Sequence, residues 1–137
     1  MIHLPDTNAW IGYLRGRDAA LVHRFQQANP GEIGLCSVVL AELFYGAYHG
    51  PSTARAHNLG LLAQLSRNFE SLPFDDAAAD QYGRLRAHLA GAGMLIGPND
   101  LLIASIALAH NLILVTQNLR EFIRVPGLLI EDWAGGP

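Results

Sequence analysis

The stretch Asn99-Asp100-Leu101-Leu102-Ile103-Ala104-Ser105-Ile106-Ala107-Leu108-Ala109-His110-Asn111-Leu112-Ile113-Leu114-Val115-Thr116 decides the fold. From Asn99 to Ala109 it is too long for a strand and almost wholly apolar, as a helix buried within a layered protein has to be. Leu112–Val115 follows as a short unbroken apolar run, the pattern of a strand covered on both faces. A buried helix that leads through the His110-Asn111 turn into such a strand is one unit of a parallel sheet, because parallel strands need a crossover.

The same alternation extends upstream. Ala77–Leu89 reads as a helix, and Gly91-Ala92-Gly93 with Gly97-Pro98 reads as the connection that follows it. Leu72–Phe74 fits a short strand, and Ala54–Phe69 a long helix with leucines at 59, 61, 62 and 65. Before the Gly50-Pro51-Ser52 turn, Ser37 is placed to cap a helix carrying Val38, Val39, Ala41, Leu43 and Phe44. Ile33–Cys36 is a second strand, and Asp18–Asn29 a helix broken by Asn29-Pro30-Gly31. Ile2–Pro5 is the first strand; Asp6-Thr7-Asn8 ends it and opens a helix toward Leu14, with Thr7 or Asn8 as N-cap. Downstream, Glu121–Phe122 lies in a turn or short helix, and Leu128–Ile130 is a last strand before Glu131-Asp132-Trp133. The expected fold is therefore α/β, with a mainly parallel sheet and residues 1–137 as one domain.

Composition narrows the chemistry. Half of the residues are apolar and 15 % are charged, which suits a dense core and excludes disorder. No apolar run is long enough to span a bilayer, and no basic, apolar and small-residue leader opens the chain, so a cytoplasmic protein is expected. The single cysteine, Cys36, excludes an internal disulfide and a cysteine zinc cage. All nine basic residues are arginine, which removes chemistries that need a lysine, among them phosphate-loop nucleotide hydrolysis and Schiff-base catalysis. A net charge of −3 argues against nucleic-acid binding by bulk charge alone, but not against an acidic site neutralised by divalent cations.

Four acids stand where local pattern does not explain them. Asp6 ends the first strand, at the edge where open parallel sheets place their ligands. Glu42 follows Val39 by three and Val38 by four residues, on the face such a helix turns toward its sheet, where a bare carboxylate is costly. Asp100 opens the apolar helix, and Glu121 follows the strand that ends at Thr116. A right-handed α/β wind gathers all four on one edge. Crowded carboxylates persist by sharing protons or binding metal, and oxygen-only ligands select Mg²⁺ or Mn²⁺ over zinc. Hard ions held by carboxylates most often serve phosphoryl transfer. An aspartate-nucleophile phosphatase is disfavoured, because Asn8 stands where its second acid belongs and its lysine is missing.

At these residues the chain resembles a known family. Asp6-Thr7-Asn8-Ala9-Trp10-Ile11, Ala41-Glu42-Leu43-Phe44-Tyr45-Gly46, Gly97-Pro98-Asn99-Asp100-Leu101-Leu102-Ile103-Ala104 and Val115-Thr116-Gln117-Asn118-Leu119-Arg120-Glu121-Phe122 occur in the order seen in PIN-domain ribonucleases. The tail Val125-Pro126-Gly127-Leu128 with Glu131-Asp132-Trp133 resembles the VapC toxins of VapBC toxin–antitoxin systems. The resemblance implies a three-layer α/β/α fold and Mg²⁺- or Mn²⁺-dependent cleavage of RNA. It also implies a homodimer and a VapB-type antitoxin that occludes the acidic pocket. By position Asp6, Glu42 and Asp100 would be catalytic and, with Glu121, metal-binding, while Thr7, Asn8, Thr116 and Asn118 would support them. Two departures stand out: Asn118 occupies the place of a common fourth aspartate, with Glu121 three residues on favoured for that role, and Val39 replaces a common hydroxyl residue. A non-catalytic PIN-like binding module is the alternative. Arg15, Arg17 and Arg24, beyond the helix opened by Asp6, are the residues expected to reach phosphates.

Overall fold

Pro5, Cys36 and Val115 end strands at the same edge of a parallel sheet. In the computed structural model, which describes residues 1–135, the strands are β1 (His3–Pro5), β2 (Leu35–Cys36), β3 (Ser71–Leu72), β4 (Ile113–Val115) and β5 (Ile130–Glu131). The last two residues of the expected 1–137 domain lie outside the described residues. β1 pairs with β4 and β4 with β5, β2 pairs with β3, and a parallel bridge between His3 and Ile33 joins the two groups. The spatial order is thus β3-β2-β1-β4-β5, every neighbour parallel. The chain winds outward from β1 to one side and returns to β4 on the other, so the order reverses between β1 and β4. That crevice is where parallel sheets open to ligands.

The crossovers are helical: α1 (Thr7–Arg15) and α2 (Ala19–Gln27), α3 (Ser37–His49) and α4 (Ser52–Asn68), then α5 (Asp76–Gly91) and α6 (Pro98–Ala109). A four-residue helix, α7 (Leu119–Phe122), joins β4 to β5. α1 packs on α2 and α3, α3 on α4, and α5 on α6. Right-handed crossovers put α1–α4 over one face of the sheet and α5–α6 over the other, giving the expected three layers. Leu101 and Ile103 through Ala107 of α6 are all buried, which explains why that helix is apolar nearly all round.

Strand and helix limits shift by a few residues from expectation, and two caps differ in kind. Neither Thr7 nor Asn8 caps α1; Asp6 does, its Oδ1 accepting from the Ala9 amide at 2.9 Å. Ser37 does not cap α3 either, since it is already its first residue, and its hydroxyl turns to the Leu72 carbonyl at 3.5 Å. Trp10 is fully buried between the rings of Tyr13, Phe25 and Phe69, so α1 is anchored by an aromatic cluster.

The tail is pinned through Glu131. Its carboxylate accepts from the Trp133 indole at 3.2 Å and from Arg24 at 3.2 Å, and it meets His3 at 3.3 Å. Partial burial pushes that carboxyl up, but the Trp133, His3 and Arg24 contacts outweigh it and hold it below its ordinary value. Arg24 also lies over the Trp133 ring, 5.0 Å from its centroid.

Candidate active site

Asp6, Glu42, Asp100 and Glu121 come from four separate segments and meet at the reversal point of the sheet. Asp6 is the most constrained. The Asp6 amide bonds to the Val115 carbonyl, extending the β1–β4 ladder one step past the strand ends. Its side chain therefore stands opposite Thr116, whose hydroxyl donates to Asp6 Oδ2 at 2.6 Å. Thr116 Oγ1 in turn accepts the Asn118 amide at 2.9 Å. Both residues are buried, and burial pushes the Asp6 carboxyl above its ordinary value; the Thr116 and Ala9 donors offset part of this, while the Glu42 and Asp132 charges add to it.

Glu42 is half-buried on α3 and accepts from the Thr7 hydroxyl at 2.7 Å. With Val39 fully buried in the core, the hydroxyl that holds Glu42 comes instead from the first turn of α1. Asp100 lies in the first turn of α6, where the helix dipole favours an anion. Its carboxyl is nevertheless pushed up to about 6, by burial first, then by the charges of Asp6 and Glu121, a hydrogen bond with Glu121, and the Glu42 charge. Asn118 bridges the pair: its Nδ2 donates to Glu121 Oε2 at 3.0 Å and reaches Asp100 Oδ2 at 3.4 Å. Among the described residues none of the four acids has an Arg or His partner.

Asn8, Glu42, Gly97, Pro98, Asn99 and Asp100 line an open pocket of about 370 Å³ at this edge. Among the described residues no three acids or histidines close into a ready-made metal cage. The mutual repulsion that raises Asp100 nonetheless fits a bound cation, which would neutralise what the protein leaves uncompensated. The donor set is all oxygen, as a hard divalent ion requires. The chemistry of the donors thus fits the ion, and the side chains have to draw inward to hold it.

The structure therefore brings together Asp6, Glu42, Asp100, Glu121, Thr7, Thr116 and Asn118, with Asn8 exposed on the pocket wall. Arg24 does not join them; it is committed to Glu131 and Trp133, contrary to the expectation that it reaches phosphates. Asp132 was missed as a neighbour of the site, yet its charge acts on Asp6. The signal was available, since Asp132 follows β5 as Asp6 follows β1.

The PIN-domain family model matches residues 4–128. A VapC of Shigella flexneri described as a tRNA(fMet)-specific endonuclease is 40 % identical over 129 residues, 94 % of this chain and 96 % of its own. The structure of DNA-bound VapBC from Salmonella typhimurium superposes with a TM-score of 0.89 at 37 % identity, covering 98 % of this chain and 99 % of that one. VapBC2 from Rickettsia felis, bound to a fragment of promoter DNA, gives 0.87 at 34 % identity over 97 % and 99 %. The chain belongs to the PIN-domain family, in its branch of VapC ribonucleases from toxin–antitoxin pairs.

Proposed function

We propose that this VapC-type toxin cleaves RNA with Mg²⁺ or Mn²⁺ held by Asp6, Glu42 and Asp100, with Glu121 as the fourth acid. The observation that carries the reading is the gathering of Asp6, Glu42, Asp100 and Glu121 at one edge without a counter-charge, where burial first and then the neighbouring carboxylates lift Asp100 to about 6. A bound ion supplies an activated water and neutralises charge on the phosphate. The protein's own part is to hold the acids. Thr116 and the Ala9 amide fix Asp6 from two sides, Thr7 fixes Glu42, and Asn118 holds Asp100 and Glu121 together. Asn8 stands exposed on the pocket wall, where it can meet the substrate.

RNA is the proposed substrate because the relatives are named as ribonucleases, and a cytoplasmic setting follows from it. No helix among the described residues is long and apolar enough to cross a membrane. A VapB-type antitoxin is the proposed partner, since the structural relatives are VapBC complexes. A homodimer is supported by α3, whose outer face leaves Phe44, Tyr45 and Tyr48 exposed in one aromatic stripe. Light scattering is expected to give twice the chain mass, and Tyr45→Glu to shift it to the monomer.

The test of activity is RNA cleavage by protein freed of its partner. Cleavage is expected with Mg²⁺ or Mn²⁺, none with EDTA, and recovery on adding Mn²⁺ back. A folded wild type that cuts no RNA of any class tried would favour the binding module instead. The ion also has a pH signature. Asp100 binds a proton below about 6, and metal binding requires its charged form, so protons compete with the ion. Mn²⁺ is expected to raise Tm clearly at pH 7.5 and little at pH 5. In metal-free protein the sign reverses: the folded-state value lies above the ordinary 3.8, so stability is gained as pH falls through about 6.

A further inference from the structure

Asn118 stands at the N-cap position of α7, yet its side chain makes no capping bond. An asparagine there ordinarily turns its side-chain oxygen toward the free amides of the first helical turn, which contributes about 0.5–2 kcal/mol. This one turns its nitrogen toward Glu121 Oε2 at 3.0 Å and Asp100 Oδ2 at 3.4 Å. The orientation follows from the partners, since ionised carboxylate oxygens only accept and the amide nitrogen only donates. The Glu121 bond alone would be an ordinary pair at a helix start. The reach to Asp100, 18 residues earlier on α6, is not explained by the helix.

The main chain of Asn118 is held from the other side. Its amide donates to Thr116 Oγ1 at 2.9 Å, and that hydroxyl donates to Asp6 Oδ2 at 2.6 Å. One residue thus touches two of the four acids through its side chain and a third through a single hydroxyl. Among the described residues no Arg or His pairs with Asp100 or Glu121. Between those two carboxylates, the positive end of the Asn118 amide stands where a full charge is missing.

We infer that the Asn118 amide takes the place of a second cation, so that the acidic edge works with one ion and Asn118 is the positioning residue that keeps Asp100 and Glu121 side by side. The inference rests on the metal-dependent ribonuclease reading and fixes the number of ions it uses. A divalent ion bridging the two carboxylates would sit about 2.0–2.1 Å from each oxygen, in the space the amide nitrogen fills. The two cannot share it. Asn118 engages only Oδ2 of Asp100, which leaves the other oxygen for the ion shared with Asp6 and Glu42. The number matters to the reaction, because two ions can neutralise the attacking and the leaving oxygen together, whereas one cannot.

The test counts ions. Metal-free protein, freed of its partner, is titrated with Mn²⁺ while electron paramagnetic resonance reads the free and bound ion. Wild type is expected to saturate at one ion per chain, without the exchange coupling that two Mn²⁺ about 3.5–4 Å apart would show. Asn118→Ala opens the gap without adding a ligand, and is expected to take up a second, weaker ion and to show that coupling. Asn118→Asp adds a charge as well, and is expected to hold the second ion about tenfold more tightly than Asn118→Ala. None of these readings depends on cleavage, and the wild-type count decides the matter even if a variant fails to fold. With RNA present, the wild-type cleavage rate is expected to rise with Mn²⁺ to first order. A second or coupled ion in wild type, a second-order rise, or a single ion in folded Asn118→Ala overturns the inference and leaves metal-dependent cleavage in place. A wild type that binds no Mn²⁺ and cuts no RNA removes the ribonuclease reading as well.

Discussion

Asp6→Asn is expected to lower RNA cleavage by about a hundred- to ten-thousand-fold while leaving stability within about 2 kcal/mol of wild type. Relief of a buried charge offsets the altered Thr116 contact. Asp6 Oδ1 caps α1 through the Ala9 amide, and the asparagine oxygen accepts that bond equally well. Two things change: the charge is lost, and the amide nitrogen that replaces Oδ2 donates to the Thr116 hydroxyl oxygen instead of accepting from it. Burial already makes the ionised form costly, so the neutral amide relieves the metal-free fold. The same charge is what an ion at this edge would bind, and losing it removes several kcal/mol of transition-state stabilisation. Asp100→Asn is expected to behave alike, because Asp100 carries the repulsion of three other acids. The measurements are single-turnover cleavage and thermal melting of the same preparations. Full cleavage by both variants, from preparations shown free of other nucleases, would remove the acids from the mechanism. Loss of cleavage together with a large fall in Tm would show that the substitution broke the fold instead.

Trp10→Ala is expected to produce the opposite pattern, unfolding the protein without touching an acid. Trp10 is fully buried, with Tyr13, Phe25 and Phe69 all packed edge-on against it. Truncating such a side chain costs about 3–5 kcal/mol. For a chain of this size that lowers Tm by roughly 10–20 °C. Trp10→Phe is the informative partner. The indole N–H finds no hydrogen-bond acceptor among the described residues, so phenylalanine discards an unsatisfied donor while leaving a smaller void. Its cost is expected to stay below about 2 kcal/mol. A Phe variant as damaged as the Ala variant would mean that the indole N–H contributes more than packing does.

The fold was legible because burial writes itself into composition. Leu112–Val115 and the helix before it are almost wholly apolar, and the structure buries most of both. Ser71–Leu72 and Leu35–Cys36 were harder to bound, since a two-residue strand carries no period and its pairing is settled by neighbours far along the chain. Within the site, Asp6 could be placed from its position at a strand end, and Glu42 from its place on a buried face. What could not be read was who holds whom. Thr7 to Glu42 spans 35 residues and Thr116 to Asp6 spans 110, so neither leaves a local pattern. Asn118 is the clearest case. Its sequence position pointed to a missing acid and an unspecified supporting role, whereas its amide bridges Asp100 and Glu121. Arg24 failed as a phosphate contact for the same reason, because its partner Glu131 lies 107 residues away.

The pairing of β1 with β4 has a consequence for the cell that makes this protein. Asp6 emerges from the ribosome early, but the ladder and hydroxyl that fix it belong to Val115 and Thr116. Asn118 and Glu121 come later still. A nascent chain can form α1 and its aromatic anchor while synthesis continues, since domains assemble from the first residues made. It cannot assemble the acidic edge until nearly all of the chain is out. Long-range closure of this kind is also slow. Any fragment ending before Val115 therefore lacks the ladder bond and the hydroxyl that hold Asp6 in place.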